Sequence, residues 1–515
     1  MKRLLLFGWV LIFAIGLARP LEAASDKPKR GGTLTMAIAK DIVLMNPLVA
    51  TRSTEQAIRE LMFEPLVGID LKGNLQPSLA ERWEASKDGK IYTFSLRRGV
   101  KFHDGREMTA EDVKFAMDYT MNPKNGAYGL AKLSLVDRVT ASDRYTLTVS
   151  LKSAGPAFIT SLTSIQAFSV IPKGSLKEGV DKPNEFPPGT GPFKFIEWSP
   201  RQRIALERHN DYWGQKAFLD RVILRPISDD TVRMTALRAG DIDMVERSPY
   251  EWVKQIADGK LKGLNSVQAP DAGFRRIVFN VVDPPFNDKK LRQAVAHAVD
   301  KKEILQAAYF GFGEPVDQKY PQGHAWYLPG LRSLRYDPER AKALLKEAGY
   351  KGEPIPIMTN QGIDEAEATT LQAQLKKVGI NIKVELVDHG TYTTRTRRGD
   401  FALKFSGGNY DPDPSATYDL VCPPDPKKRT ANASAYCDKE LDRMLARAET
   451  EIDSEKRREL FRQIVGKVLE DVPELYMGFV PRFFTLRDSI KGFTTNAEGG
   501  FFWWGGGLNH TWRDK

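Results

Sequence analysis

The chain holds only two cysteines in 515 residues, Cys422 and Cys437. That is too few for a disulfide scaffold or a four-thiolate zinc site. Mean hydropathy is negative, which excludes a polytopic membrane protein. An excess of one charge is also nearly missing. With 76 Lys+Arg against 66 Asp+Glu the formal charge is +10, mild for this length and short of a nucleic-acid footprint. No GxSxG elbow, HExxH pair or GxxxxGK[ST] loop occurs, so the usual hydrolase, metalloprotease and phosphate-loop chemistries have no motif to stand on. Gly311-Phe312-Gly313 opens a dinucleotide-like pattern that fails at Pro315-Val316. The six histidines (His103, His209, His297, His324, His389, His510) lack ligand spacing. No catalytic residue, metal site or cofactor is expected, and no internal repeat or low-complexity segment is found.

What is present is a large foldable chain. At roughly 100–200 residues per domain the length predicts about three folding units, and 10% aromatic residues exclude a disordered chain. Lys2 and Arg3 precede an apolar stretch from Leu4 to Leu17, followed by Arg19, Pro20 and the small residues Ala23 and Ala24. This order describes a secretory signal peptide over residues 1–23, with an uncleaved anchor as the alternative. No cysteine near the exit offers a lipoprotein tether. Export puts Cys422 and Cys437 in an oxidising compartment, where pairing is favoured over two free thiols. A bridge across the intervening 14 residues stabilises by ~3 kcal/mol in the chain-entropy model.

Strand and helix patterns alternate along the mature chain. Thr33–Ala39, Ile91–Leu96 after the turn Lys87-Asp88-Gly89, Tyr145–Val149 and Ile380–Leu386 alternate as strands. Glu55–Phe63 has helical spacing, and Thr109 with Asp112 starts a helix through Met121. Asp288, Asp300 and Asp337 stand where helix N-caps are expected, and Gly349 and Gly379 where helices should stop. Leu371–Val378, Leu441–Ala448 and Leu460–Leu469 complete the helices. The Pro/Gly stretch Glu185–Gly191 reads as a joint. Mixed strands and helices in both halves predict α/β lobes.

A few clusters have the composition of a site. Asp411 and Asp413, locked between prolines, suit a turn or a ligand contact. The basic groups Arg201/Arg203, Arg395/Arg397/Arg398, Lys427–Arg429 and Lys456–Arg458 read as solvated surface charge. Phe501-Phe502-Trp503-Trp504 beside Gly505–Gly507 holds more rings than a core readily takes, so Trp503 is a candidate cleft residue.

Five stretches taken together resemble a known family: "PSLAERWEASKDGKIYTFSLRRGVKFHDGREMTAEDVKFAMDYT" (Pro77–Thr120), "GTGPFKFIEWSPRQRIALERHNDYWG" (Gly189–Gly214), "VFNVVDPPFNDKKLRQAVAHAVDKKEI" (Val278–Ile304), "YDPERAKALLKEAGY" (Tyr336–Tyr350) and "YDPDPSATY" (Tyr410–Tyr418). They are similar to the family-5 extracellular solute-binding proteins of ABC transporters, which include dipeptide- and oligopeptide-binding proteins. The resemblance implies a two-lobed periplasmic-binding-protein clamshell of the type II, large-cluster kind. Lobe I would take residues 24–70, 190–272 and 482–515, its extra subdomain 71–189, and lobe II 273–481. It further implies a monomer in the periplasm that closes on a peptide or similar small polar solute and delivers it to the permease subunits of an ABC importer. A secreted hydrolase of peptides or glycans, and a non-transporting receptor or chaperone on the same fold, are the alternatives.

The resemblance also carries residues. Thr51, Arg52 and Ser53 match a lobe I loop that meets ligand, and Tyr250 lies in another. Phe405, Ser406 and Gly407 match a strand that offers backbone and a ring to ligand. In peptide-binding relatives an Asp that pairs with the peptide α-amino group follows this strand. Gly408 stands at that position here, with Asn409, Tyr410 and Asp411 after it. The usual amine anchor is therefore absent, and Asp411 is the nearest replacement.

Overall fold

The computed structural model describes residues 27–514 apart from 50–52, 71–73, 166–167, 180–185, 270–272, 409–412, 415–419, 430–431, 496–501 and 504–505. The signal segment thus lies outside the described residues. No helix among the described residues is long and apolar enough to cross a membrane.

Two large sheets organise the molecule. The first has seven strands in the order Leu264–Ala269, Arg482–Arg487, Met244–Val245, Thr33–Ile38, Arg221–Pro226, Arg203–Arg208 and Phe193–Ser199. Thr33–Ile38 runs parallel to both neighbours. The second has six strands in the order Glu314–Pro315, Glu474–Phe479, Phe274–Phe279, Leu403–Gly408, Ile355–Thr359 and Ile382–Leu386. The chain passes from one sheet to the other between Ala269 and Phe274 and returns between Phe479 and Arg482. Two such crossings are the covalent arrangement of a hinge between two lobes. A four-stranded antiparallel sheet from Ala80–Ala85, Ile91–Leu96, Thr146–Leu151 and Val136–Asp143 shares its apolar core with the first sheet. The second sheet has a core of its own around Ile277, Phe279, Leu371 and Leu403.

Local chemistry accounts for the element boundaries. Asp288, Asp300 and Asp337 accept from the backbone N–H groups of Lys290, Lys302 and Arg340 at 2.7, 2.9 and 2.9 Å. They start the helices Lys289–Ala298, Lys301–Tyr309 and Pro338–Glu347, satisfying amides that have no partner inside the helix. Gly349 and Gly379 follow helix ends at φ +68° and +94°, a region open to glycine at little cost. The helix His389–Arg398 is not evident from periodicity, since Tyr392 is its one large apolar residue; Asp388 starts it by accepting from the N–H groups of Gly390 and Thr391.

Two segments are more tightly packed than their composition suggests. Of the Pro/Gly joint, Phe186–Gly191 is described, and its glycines are tightly packed. A Cβ on Gly189 would lie 1.9 Å from the Met62 carbonyl oxygen, and the Gly191 carbonyl lies 3.1 Å from both His103 Nε2 and His209 Nδ1. The basic runs are not all solvated either. Arg429 is buried, donating to the carbonyls of Pro426 and Ala433 and to Asn280 Oδ1 at 2.7, 2.8 and 2.7 Å. Arg457 is buried against Asp413. A guanidinium can satisfy its five donors internally, so a charge run alone does not reveal which member turns inward.

Candidate functional site

A cleft of about 400 Å³ opens between the two large sheets. Its walls follow the carboxyl ends of strands. Arg247 to Tyr250 come after Met244–Val245, Ile363 and Asp364 after Ile355–Thr359, and Gly407 and Gly408 end Leu403–Gly408. Open α/β sheets place ligands at such ends. Val480, Arg482 and Phe483 of the return crossing form the floor.

Aromatic rings join the walls. Tyr250 meets Tyr309 edge-on at 5.2 Å between centroids and Phe483 at 6.0 Å, while Phe312 packs on Phe483 at 4.9 Å. The Tyr250 hydroxyl donates to the Pro481 carbonyl at 2.8 Å. Burial pushes this phenol up to about 12, against the opposing influence of Arg275 and Arg482, so it stays a neutral donor at ordinary pH.

On the lobe II wall the charges are mutually engaged. Arg275 Nε donates to Glu367 Oε1 at 3.0 Å, and its Nη2 reaches Asp364 Oδ1 at 2.5 Å and also Glu367 Oε2. Tyr309 donates to the same Glu367 at 2.8 Å, and Asn360 Nδ2 donates to Asp364 Oδ2 at 3.0 Å. Glu367 is 1% exposed, and a carboxylate so buried requires this many donors. Gly407 makes the crossing possible, since a Cβ there would lie 2.7 Å from Arg275 Nη1 and 3.1 Å from the Phe274 carbonyl oxygen.

On the lobe I wall Arg247 has φ +53°, unusual for a residue with a side chain. Its Nε lies 3.3 Å from Glu246 Oε1. Glu246 is buried, and desolvation raises its pKa against the pull of Arg247, Arg482 and Arg233.

The cleft gathers three of the residues the sequence nominates, Tyr250, Gly407 and Gly408. Ser406 is half-buried and pairs with Arg276 in the sheet. Phe405 does not offer its ring to the cleft. It is 1% exposed in the lobe II core, and its carbonyl accepts the Tyr392 hydroxyl. Side chains alternate along a strand, which sends Phe405 to the apolar face. Thr51, Arg52, Asn409, Tyr410 and Asp411 lie outside the described residues, as do the side chains of Ser53 and Trp503. The backbone of Ser53 begins the helix Ser53–Met62, and that of Trp503 pairs with Gly506. Asp413 neither faces a ligand nor merely shapes a turn: it is buried with Arg457. Cys422 and Cys437 form a disulfide.

Arg247, Arg275, Tyr309, Asp364 and Arg482 were not nominated by sequence. One signal was available for part of this set. Two adjacent arginines in the apolar strand Phe274–Phe279 each demand a carboxylate on opposite faces. Glu367 serves Arg275, and Glu474 serves Arg276 at 2.6 Å.

Comparison with known proteins agrees with this geometry. The model of the bacterial extracellular solute-binding proteins, family 5 middle, matches residues 74–428. The dipeptide-binding protein of Escherichia coli K12 is 30% identical over 456 residues, covering 82% of this chain and 84% of its own. The periplasmic binding protein DppA of Helicobacter pylori, solved with the peptide STSA, superposes with a TM-score of 0.78 at 26% identity, over 95% of this chain and 99% of the other. AgaA of A. tumefaciens R10, solved with agropinic acid, gives a TM-score of 0.79 at 27% identity, over 94% and 99%.

Proposed function

Since the chain belongs to the bacterial extracellular solute-binding proteins of family 5, we propose the following account of what it captures and how. It is the substrate-binding component of an ABC importer, on a two-lobed α/β fold. The ligand is a peptide or a comparably small polar organic solute, taken into the interlobe cleft. The cleft of about 400 Å³, lined from both sheets and from the return crossing, is the observation that carries this reading. Such a volume suits one small molecule. A solute touching both walls binds the closed form more tightly than the open one, and so shifts the population toward closure.

In this reading residues 24–70, 190–272 and 482–515 form lobe I, 71–189 its subdomain and 273–481 lobe II, and the separate cores of the two large sheets support two lobes. Tyr250, Ser406, Gly407 and Gly408 contribute from the two walls, with Thr51, Arg52, Ser53, Asn409, Tyr410, Asp411 and Trp503 as further ligand contacts. Residues 1–23 are removed on export, and the mature chain works as a monomer in the periplasm, docking on the permease subunits when closed. Peptide-binding relatives support a peptide, and the relative solved with agropinic acid supports a non-peptide organic acid.

A melting-point screen of dipeptides, tripeptides, opine-like acids, sugars and metal chelates tests the reading, because a ligand that binds only the native state raises the midpoint. Small-angle scattering on any hit should then show a smaller radius of gyration with solute than without. A hit that leaves the radius unchanged, or a screen with no hit, contradicts capture by closure.

A further inference from the structure

The two walls of the cleft differ in how their charges are engaged. On the lobe II wall Arg275 lies between Asp364 and Glu367, and both carboxylates already hold donors. Gly407 and Gly408 add no side chain to that wall. On the lobe I wall Asp230 is paired with Arg233. Arg247 is different. Only its Nε has a partner, Glu246, and its two terminal nitrogens make no hydrogen bond or ion pair among the described residues. Its side chain is 43% exposed at the cleft. Among the described residues the Arg247 guanidinium thus faces the space between the lobes with donors to spare. The backbone of Arg247 is held at φ +53°, and such strained positions persist where a ligand clamp requires them.

We propose that Arg247 sets the ligand class of the cleft, receiving a carboxylate of the solute on the lobe I wall. This inference rests on the solute-binding reading and narrows it. The planar fork of Arg247 suits two parallel hydrogen bonds to a carboxylate. The solute is then a small organic acid, or a peptide held by its carboxylate end.

The test uses the full mature chain and matched probes: glutathione, alanylalanine and succinate, each beside a counterpart with its carboxylates esterified or amidated. At least one free acid should raise the melting midpoint while its blocked counterpart does not. Arg247→Gln should weaken that acid by about 30-fold, read as the ligand-induced shift from the variant's own unliganded midpoint. Arg247→Lys, which keeps a charge but not the fork, should recover part of the loss. Blocked probes that stabilise as well as the acids, or an Arg247→Gln protein that responds in full, overturn the proposal and leave solute binding standing. If neither acids nor blocked probes shift the midpoint, and native mass spectrometry finds no retained solute, the proposal falls together with the binding reading.

Discussion

Asp413 and Arg457, 44 residues apart, meet through two parallel hydrogen bonds of 2.6 and 2.7 Å. Their side chains are only 7% and 5% exposed, and the guanidinium lies 4.9 Å from the centre of the Trp326 ring. The pair ties Asp413-Pro414 to helix Ser454–Asp471. Removing one partner strands a buried charge, so Asp413→Ala should cost about 3–5 kcal/mol. Replacing both with apolar residues should cost less than either single change. Urea unfolding of the two single variants and the double variant measures the difference.

Gly407 and Gly408 make a paired test of the cleft wall. A Cβ on Gly407 collides with the tethered Arg275, whereas one on Gly408 meets Phe274 at an ordinary 3.4 Å. Gly407→Ala should therefore destabilise by about 1–3 kcal/mol, the usual range for overpacking, and weaken solute binding. Gly408→Ala should change stability little. Chemical denaturation and the ligand-induced midpoint shift read both effects.

Glu64 provides a pH signature. It is fully buried, accepting from Tyr212 Oη at 2.8 Å and Trp213 Nε1 at 2.9 Å, and burial raises its carboxyl from 4.5 to about 7. A folded-state value above the unfolded one means the native state holds the proton longer. Its contribution is fully present below about pH 4.5, falls as the pH rises, and is gone once the pH passes about 7. Urea unfolding at pH 5 and pH 8 should show a smaller loss in Glu64→Gln than in the parent chain. The difference should be on the order of 3 kcal/mol.

The disulfide between Cys422 and Cys437 joins residues 15 apart in sequence. Reduction, or Cys422→Ser with Cys437→Ser, should lower stability by about 3 kcal/mol, the chain-entropy value for a loop of this length. Calorimetry with and without reductant checks the figure.

Much of the fold was legible in the sequence because its signals are local. The caps at Asp288, Asp300 and Asp337 announce themselves by residue type and spacing, as does the strand after Lys87-Asp88-Gly89. The long family stretches supplied the clamshell. The site was less legible because its chemistry is assembled across distance. Arg275 and Glu367 are 92 residues apart and Tyr250 and Pro481 are 231 apart, and no local pattern links them. Phe405 was misread for a simpler reason. It sits on a strand that reaches the cleft, but its ring packs in the core beside Leu403, two residues before the strand opens at Gly407.

Native mass spectrometry of the freshly purified mature chain tests solute capture most directly. The account predicts a fraction of molecules carrying one small solute. The solute should be released on denaturation, bear a carboxylate, and restore a higher melting midpoint when added back. Protein that carries no solute, and whose midpoint no peptide or organic acid raises, would contradict it.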